Sequence, residues 1–362
     1  MSSLLDFVDV KPESLPAGAW PTSAGQVRVA GRLLTPSAVF DTYWRFAAAR
    51  QAIYLARLSG DPAPWTLDAI LAEHRFTNCY RASDRVSQFL IREVAYRGSQ
   101  DPNELVFRVL LFKMFNRVGT YRMLEQHLGT PAAATFDVDA YDEVLSRAFA
   151  QGHRLYSAAY VIPPPRLGAT RKHTNHLRLL RHLLDEEVPD TVIGSRTMSD
   201  AFAALRELPA MGDFLAYQFL IDVNYTTAVS FSEMDFVVPG PGARDGIRKC
   251  FGSAGDGIEA EIIAYMADSQ EHHFERLGLE FPGLFGRPLQ LIDCQNLFCE
   301  VDKYARVAHP DVRGLSGRTR IKQRFQPAPV PVHAWFPPKW GLNARVAHTF
   351  SEQFSGELPT AT

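Results

Sequence analysis

The stretch Leu208-Pro209-Ala210-Met211-Gly212-Asp213-Phe214-Leu215-Ala216, trailed about twenty positions later by Asp235, has the residue types and spacing to engage a phosphodiester chain. Pro209 and Gly212 punctuate a tight turn. Ala201, Phe202 and Leu205 before it, and Leu215, Ala216, Phe219 and Leu220 after it, keep helical spacing. Such a turn leaves the first N–H groups of the second helix, around Met211, Gly212 and Phe214, pointing outward, where they hold a phosphate without reading a base. Two further blocks concentrate polar groups. Arg75-Phe76-Thr77-Asn78-Cys79-Tyr80-Arg81 runs into Asp84-Arg85, a cationic cluster with aromatics interleaved. On a helix Asp293, Asn296, Glu300 and Lys303 recur at three- and four-residue spacing and share one face; a salt-linked surface explains that stripe as well.

The elements that must position these residues are helical. At 362 residues and 46% hydrophobic content the chain has ample core for one large domain or two ordinary ones. Helices are expected from Thr35 or Ser37 through Ile53, over Asp84–Tyr96, from Asp101-Pro102 through Phe115, from Thr120, and over Asp139–Gln151. More are expected at Lys172–Leu184, Ser199–Leu208, Phe214–Tyr225, Gly242–Phe251, Glu259–Leu277 and Gln290–Arg306. Val161–Pro165 reads as a rigid linker. The expected organisation is an N-terminal arm over 1–35 with one edge strand near Gln26–Ala30, an all-α body over 36–310, and a basic, then Pro- and Trp-containing irregular tail over 311–362 that wraps the surface.

Charge narrows the partners. The net charge of −2 argues against a uniformly basic nucleic-acid glove, but the distribution is uneven. Arg166–His182 carries Arg166, Arg171, Lys172, Arg178, Arg181 and no acid; Arg313–Arg324 is likewise basic and acid-free. Each patch suffices for phosphate contacts, with a solvated face as the plainer alternative. No apolar run or signal pattern points to a membrane, and cytoplasmic residence is the default expectation. The four cysteines lack metal or cluster spacing, and the pairs His173/His176 and His272/His273 offer no complete ligand set; no metal and no cofactor are expected.

The hairpin with its trailing Asp resembles the helix-hairpin-helix of DNA glycosylases. The Arg-Phe-Thr-Asn-x-Tyr-Arg block, the hairpin, Asp235–Arg244 and the Asp-x-Gln-Asn-x-x-Cys-Glu-x-x-Lys-Tyr block together resemble the family named for α-glutamyl/putrescinyl-thymine pyrophosphorylases. Its helical domain also carries the name of hydroxymethyluracil DNA kinase. The resemblance spans roughly Phe40 to Val307. It implies a divergent helix-hairpin-helix glycosylase-like fold acting on hypermodified bases in DNA, similar to antiphage glycosylases that remove glucosylated hydroxymethylcytosine. No GxxxxGK[ST] phosphate loop occurs, so the kinase name has no such motif behind it.

On that resemblance the expected activity is a monofunctional DNA N-glycosylase, working as a monomer on modified double-stranded DNA in antiviral defence. Asp235 would stabilise the positive charge that builds on the sugar as the N-glycosidic bond breaks. Arg75, Phe76, Asn78, Tyr80, Arg81, Asp84, Asp293, Asn296, Glu300 and Lys303 would line a pocket for a flipped base or its sugar adduct. Met211, Gly212, Phe214, Arg244, Arg171 and Lys172 would hold phosphates. Phe214 occupies the position of the Schiff-base lysine of bifunctional relatives. The alternatives are a base-hypermodification transferase acting on the exocyclic carbon and a non-catalytic DNA-binding module.

Overall fold

The computed structural model describes residues 22–157, 162–327 and 332–349. Two short strands, β1 (Val27–Val29) and β2 (Arg32–Leu34), precede the helices. Then come α1 (Ala38–Leu58), α2 (Ala69–Glu73), α3 (Arg85–Phe89) with a π-helical turn over Leu90–Ala95, α4 (Pro102–Phe115), α5 (Val118–Leu128) and α6 (Val138–Ala150). After these come α7 (Lys172–Asp185), α8 (Val188–Gly194), α9 (Met198–Arg206), α10 (Asp213–Val223), α11 (Pro241–Phe251), α12 (Glu259–Asp268), α13 (Gln270–Arg276), α14 (Leu291–Ala308) and α15 (Asn343–Thr349). The described chain is mostly helical, as expected. Among the described residues no helix is long and apolar enough to cross a membrane.

Caps set the helix starts. Ser37 Oγ accepts the Val39 N–H to open α1, and Asp101 accepts from Asn103 and Glu104 ahead of Pro102 to open α4. Gln290 and Asp293 form a reciprocal capping box at α14. Three local expectations change. The single strand near Gln26–Ala30 is one arm of an antiparallel hairpin, turned by Ala30 and Gly31 at φ 46° and 77°. The helix over Glu259–Leu277 breaks at Ser269, whose hydroxyl donates to the Tyr265 carbonyl. Asp84–Tyr96 turns from α to π geometry, closed by the Tyr96 N–H on the Ile91 carbonyl five residues back.

The chain divides into two compact units, Met1–Arg81 with Pro239–Val332, and Ala82–Val238 with His333–Thr362. The first unit is centred on α14, which packs on α11 and α1. Gly246 lets α11 approach so closely that a Cβ there would lie 2.2 Å from the Phe298 carbonyl oxygen. Lys249, buried, reaches both the main-chain carbonyl and the carboxylate of Asp302 at 2.9 Å, and Arg306 holds the other carboxylate oxygen. Phe40, Tyr43 and Trp44 fill the space between α1 and its neighbours.

In the second unit α4 is buried on every side from Leu105 to Phe115, Arg108 and Lys113 included, so it is a central helix rather than an amphipathic one. Arg108 spends its charge on the carbonyls of Val94 and Ser99. Lys113 pairs with Asp222 of α10 at 2.7 Å, both side chains 2% exposed. The expected surface tail is partly core here: Phe336 is fully buried and Trp335 nearly so, with Gln88 bonded to both polar main-chain atoms of Trp335. Residues of the N-terminal arm before Thr22, and Val161 of the expected linker, lie outside the described residues.

Candidate functional site

In the first unit the segment 75–81 is a loop clamped from both sides by helices. From α1, Arg50 Nε donates to the Thr77 carbonyl at 3.0 Å and Nη2 to Asn78 Oδ1 at 2.6 Å. The Cys79 thiol donates to the Ala47 carbonyl. From α14, Glu300 Oε2 accepts the Thr77 N–H at 3.0 Å and Asp293 Oδ1 accepts the Arg81 N–H at 3.0 Å. Asp293 therefore braces two elements, since its other oxygen caps α14 through the Gln290 N–H.

Lys303 stands 2.6 Å from Glu300 Oε2 and 4.6 Å over the face of Phe76, an arrangement in which ion pairing and cation–π attraction fix one ammonium. Phe76 packs edge-on against Phe46 and beside Tyr304. The Tyr304 hydroxyl donates to Asp68 Oδ2 at 2.6 Å; burial, then the Asp68 charge, raises that phenol far above its ordinary range. Glu300 Oε1 makes no hydrogen bond among the described residues. With Oε2 doubly held, the carboxylate is fixed in orientation and Oε1 remains an available acceptor. The chemistry available here is acceptance of a hydroxyl hydrogen bond beside a positioned cation.

The other residues expected in this pocket are placed as follows. Arg75 is exposed, its N–H on the Gln323 carbonyl. Tyr80 and Arg81 are buried; the Tyr80 hydroxyl donates to the Arg287 carbonyl, and burial, with the Asp293 charge beside it, pushes it well above the usual phenol range. Asn296 is half-buried and its Oδ1 accepts from Gln295, which also donates to Cys299. Arg244 bonds to the Pro239 carbonyl and Glu259 at the start of α11. The loop and α14 thus bring together Phe76, Asn78, Glu300 and Lys303, with Tyr80, Arg81 and Asp293 buried beneath as supports. Arg50, Tyr304 and Asp68 were missed. Arg50 had a signal: a charged residue standing in the Tyr43, Ala47, Tyr54 stripe of α1 needs a buried partner.

Asp84, Asp235 and the hairpin belong to the second unit. Asp84 is the half-buried N-cap residue of α3. Here α9 and α10 are joined through residues 207–212. Met211 is buried and Phe214 half-buried. Gly212 is in extended backbone, φ −80°, and the left-handed position falls on Ala210 at φ 63°. Asp213 in the first turn of α10 pairs with Arg206, so an anion arriving there meets a carboxylate already complementing the helix dipole. Asp235 is exposed; its N–H closes a turn on Ser232 and its carboxylate has no hydrogen bond among the described residues. Arg171 is exposed and Lys172 half-buried at the start of α7.

Among the described residues no three His, Cys, Asp or Glu converge as metal ligands. His173 meets Ser146, and His176 lies between Tyr156 and the Pro163 carbonyl. His273 lies between Tyr265 and Arg276.

Residues 37–314 match the family described as 5-hmdU DNA kinase, helical domain. The chain belongs to that family. A protein of Bacillus phage SP10 named 5-hmdU DNA kinase is 25% identical over 297 residues, covering 75% of this chain and 45% of the phage protein. The chain therefore spans less than half the length of that curated relative. No solved structure matches.

This family overturns the expected glycosylase. The expected N-glycosidic hydrolysis, with excision of a flipped base in antiviral defence, followed from the resemblance to helix-hairpin-helix and antiphage glycosylases, with the hairpin and its trailing acid as the catalytic part of it. A phosphotransferase on a hydroxymethyl group leaves the sugar–base bond intact and needs no carboxylate beside the sugar. The excision role given to Asp235 falls with it, and so do the hydrolase class and the question of a lyase lysine at Phe214. The transferase alternative is the closer of the readings made from sequence.

Proposed function

We propose that this chain supplies the DNA-recognising helical part of a phosphotransferase acting on 5-hydroxymethyluracil in DNA, and that the loop 75–81 and α14 form the place where the hydroxymethyl group is read. The match of 37–314 to the helical domain of 5-hmdU DNA kinases carries the reading. The geometry supports it. The acceptor in such a reaction is a primary alcohol on the base, and Glu300 Oε1 is a held acceptor suited to its O–H, with Lys303 and Asn78 alongside. Thymine differs from hydroxymethyluracil by one hydroxyl. A site that spends a fixed hydrogen-bonding group on that hydroxyl rejects the analogue lacking it far more strongly than a pocket of apolar shape does. In this reading the chain, which matches the helical domain, takes the DNA side of the reaction. The hairpin contributes backbone contacts that do not distinguish bases, with Arg206 offsetting the Asp213 carboxylate at the start of α10.

The test uses matched duplexes carrying one hydroxymethyluracil, one thymine or one hydroxymethylcytosine. The chain should bind the first in preference to the second, and Glu300→Gln should remove that preference while leaving affinity for the thymine duplex. Equal affinity of the unaltered chain for hydroxymethyluracil and thymine duplexes would refute the reading.

A further inference from the structure

From Gly152 to Leu184 the sequence holds no Asp or Glu, while Arg154, Arg166, Arg171, Lys172, Arg178 and Arg181 fall within it. In the second unit the described part of this run forms one edge: residues 152–157, the loop 162–171, and the first turns of α7 beside the end of α6. Three observations set it apart from an ordinary solvated face. The side chains of Arg154, Arg166 and Arg171 are exposed and, among the described residues, make neither hydrogen bond nor ion pair. The loop that presents two of them is held in place from within. Asn175, 5% exposed, accepts the N–H groups of Leu167 and Ala169 and donates to the carbonyls of Ala169 and Arg171, and Arg178 donates to the Leu167 carbonyl. Beside the first turn of α7, Phe149 is 58% exposed, its ring 5.9 Å from that of His173.

The carboxylates of this region are committed or distant. Asp142 accepts from Thr174 and Ser146 and faces His173. Glu143 pairs with Arg147. Asp185, Glu186 and Glu187 lie at the other end of α7, about 20 Å along the helix from Arg171. The edge is thus a set of unneutralised guanidinium groups, two of them on a pre-ordered loop, next to an aromatic ring presented to solvent. Phosphates spaced along a nucleic-acid strand neutralise such groups, and an unstacked base covers such a ring.

We propose that this edge, separate from the hairpin, binds a DNA strand without regard to sequence, with Arg154, Arg166 and Arg171 on successive phosphates and Phe149 stacked on an unpaired base. It rests on the DNA reading given above but engages different residues from those that read the hydroxymethyl group. A pre-ordered loop loses little conformational freedom on binding, so the contacts are not spent on ordering it.

The experiment measures anisotropy of an unmodified labelled oligonucleotide, as duplex and as single strand, across a salt series. The triple variant Arg154→Ala/Arg166→Ala/Arg171→Ala touches no internal hydrogen bond and should keep its circular dichroism. Its log-affinity against log-salt slope should fall by about three and its low-salt affinity by about ten- to a hundredfold, for duplex and strand alike. Phe149→Ala should weaken the single strand by about fivefold or more and the duplex less. Both variants should retain the preference for hydroxymethyluracil over thymine. A triple variant with unchanged slope and affinity overturns the surface, and Phe149→Ala acting equally on strand and duplex overturns the stacking. Loss of hydroxymethyluracil preference in the unaltered chain, with the salt behaviour as expected, overturns the proposed function and leaves this surface in place.

Discussion

Replacing Glu300 by Ala removes the acceptor that fixes Thr77, and the consequence can be followed at one amide. Glu300 Oε2 takes the Thr77 N–H at 3.0 Å while paired with Lys303 at 2.6 Å. The Glu300 and Lys303 side chains are only 13% and 15% exposed, so the acceptor is largely shielded, although the Thr77 end of the bond faces solvent. A hydrogen bond to a charged acceptor in such a setting contributes about 1.5–3 kcal/mol. Amide exchange at Thr77 should therefore quicken by about ten- to a hundredfold in Glu300→Ala, at 1.4 kcal/mol per factor of ten. Lys303→Met keeps the acceptor and should quicken it far less. The double variant should show a coupling of about 0.5–3 kcal/mol between the two sites, as expected for contacting residues. Hydrogen–deuterium exchange read by NMR, with Arg81 as internal control because its amide is held by Asp293 instead, gives all three rates. If Thr77 exchanges at the same rate in Glu300→Ala as in the unaltered chain, Glu300 does not hold the loop, and the case for a fixed acceptor at its other oxygen collapses.

Gly246→Ala should destabilise the first unit by about 3 kcal/mol or more, because its Cβ would meet a main-chain carbonyl that cannot step aside; a Tm within a degree or two of the parent would contradict the packing. Lys113→Met strands the Asp222 carboxylate and should cost about 3–5 kcal/mol, whereas Lys113→Met/Asp222→Leu should recover most of it, as read by chemical denaturation. Burial, opposed by the Pro163 carbonyl and reinforced by Lys172 and His173, holds His176 down to about 4; burial, with Arg276 and His272 and against Asp41, does the same for His273. Both are depressed below the ordinary histidine value, so the unfolded chain binds the extra protons. Their contribution is complete above about pH 6.5 and is lost as pH falls towards about 4, on the order of 1–3 kcal/mol each. A melting temperature flat across that window would exclude neutral buried rings. Gly212→Asp, in extended backbone with open space around its Cβ, adds only charge and should weaken all DNA duplexes equally; a change in base preference would remove the hairpin from the phosphate contacts.

Much of the architecture was legible because local chemistry declares it. Ser37 and Asp101-Pro102 mark helix starts that the sequence states outright, while the Thr197/Asp200 capping box was passed over and its helix read from Ser199. What remained hidden either carries no residue-type signal or depends on distant partners. Nothing local distinguishes Ser269 as a helix break, since its hydroxyl acts by bonding backward to Tyr265. Ala30 in left-handed backbone is tolerated because Gly31 follows it in a tight hairpin, and alanine carries no turn signal. Trp335 and Phe336 looked like surface tail and proved to be core, fixed by Gln88, which stands nearly 250 positions away. Of the candidate site, Glu300, Lys303, Phe76 and Asn78 were found from residue type and spacing, while Arg50 was passed over inside an apolar stripe. The enzymatic class was misread because the resemblance was read through the glycosylase-like hairpin, and a fold that engages DNA serves base excision and base decoration alike.

At its exposed positions the fastening of the loop 75–81 separates path from identity, whereas Asn78 and Cys79 are held by their own side chains. Thr77 is held by its own N–H and carbonyl, and Arg81 by its N–H, so these anchors from Glu300, Arg50 and Asp293 attach to peptide groups that every residue except proline possesses. The side chains at Arg75 and Thr77, both exposed, can therefore be exchanged without redrawing the backbone. A lineage carrying this clamp can try new residues against new base substituents one substitution at a time, each tested on an unchanged frame. On the proposed function, the same property makes positions 75 and 77 the place to begin when altering which decorated base is accepted.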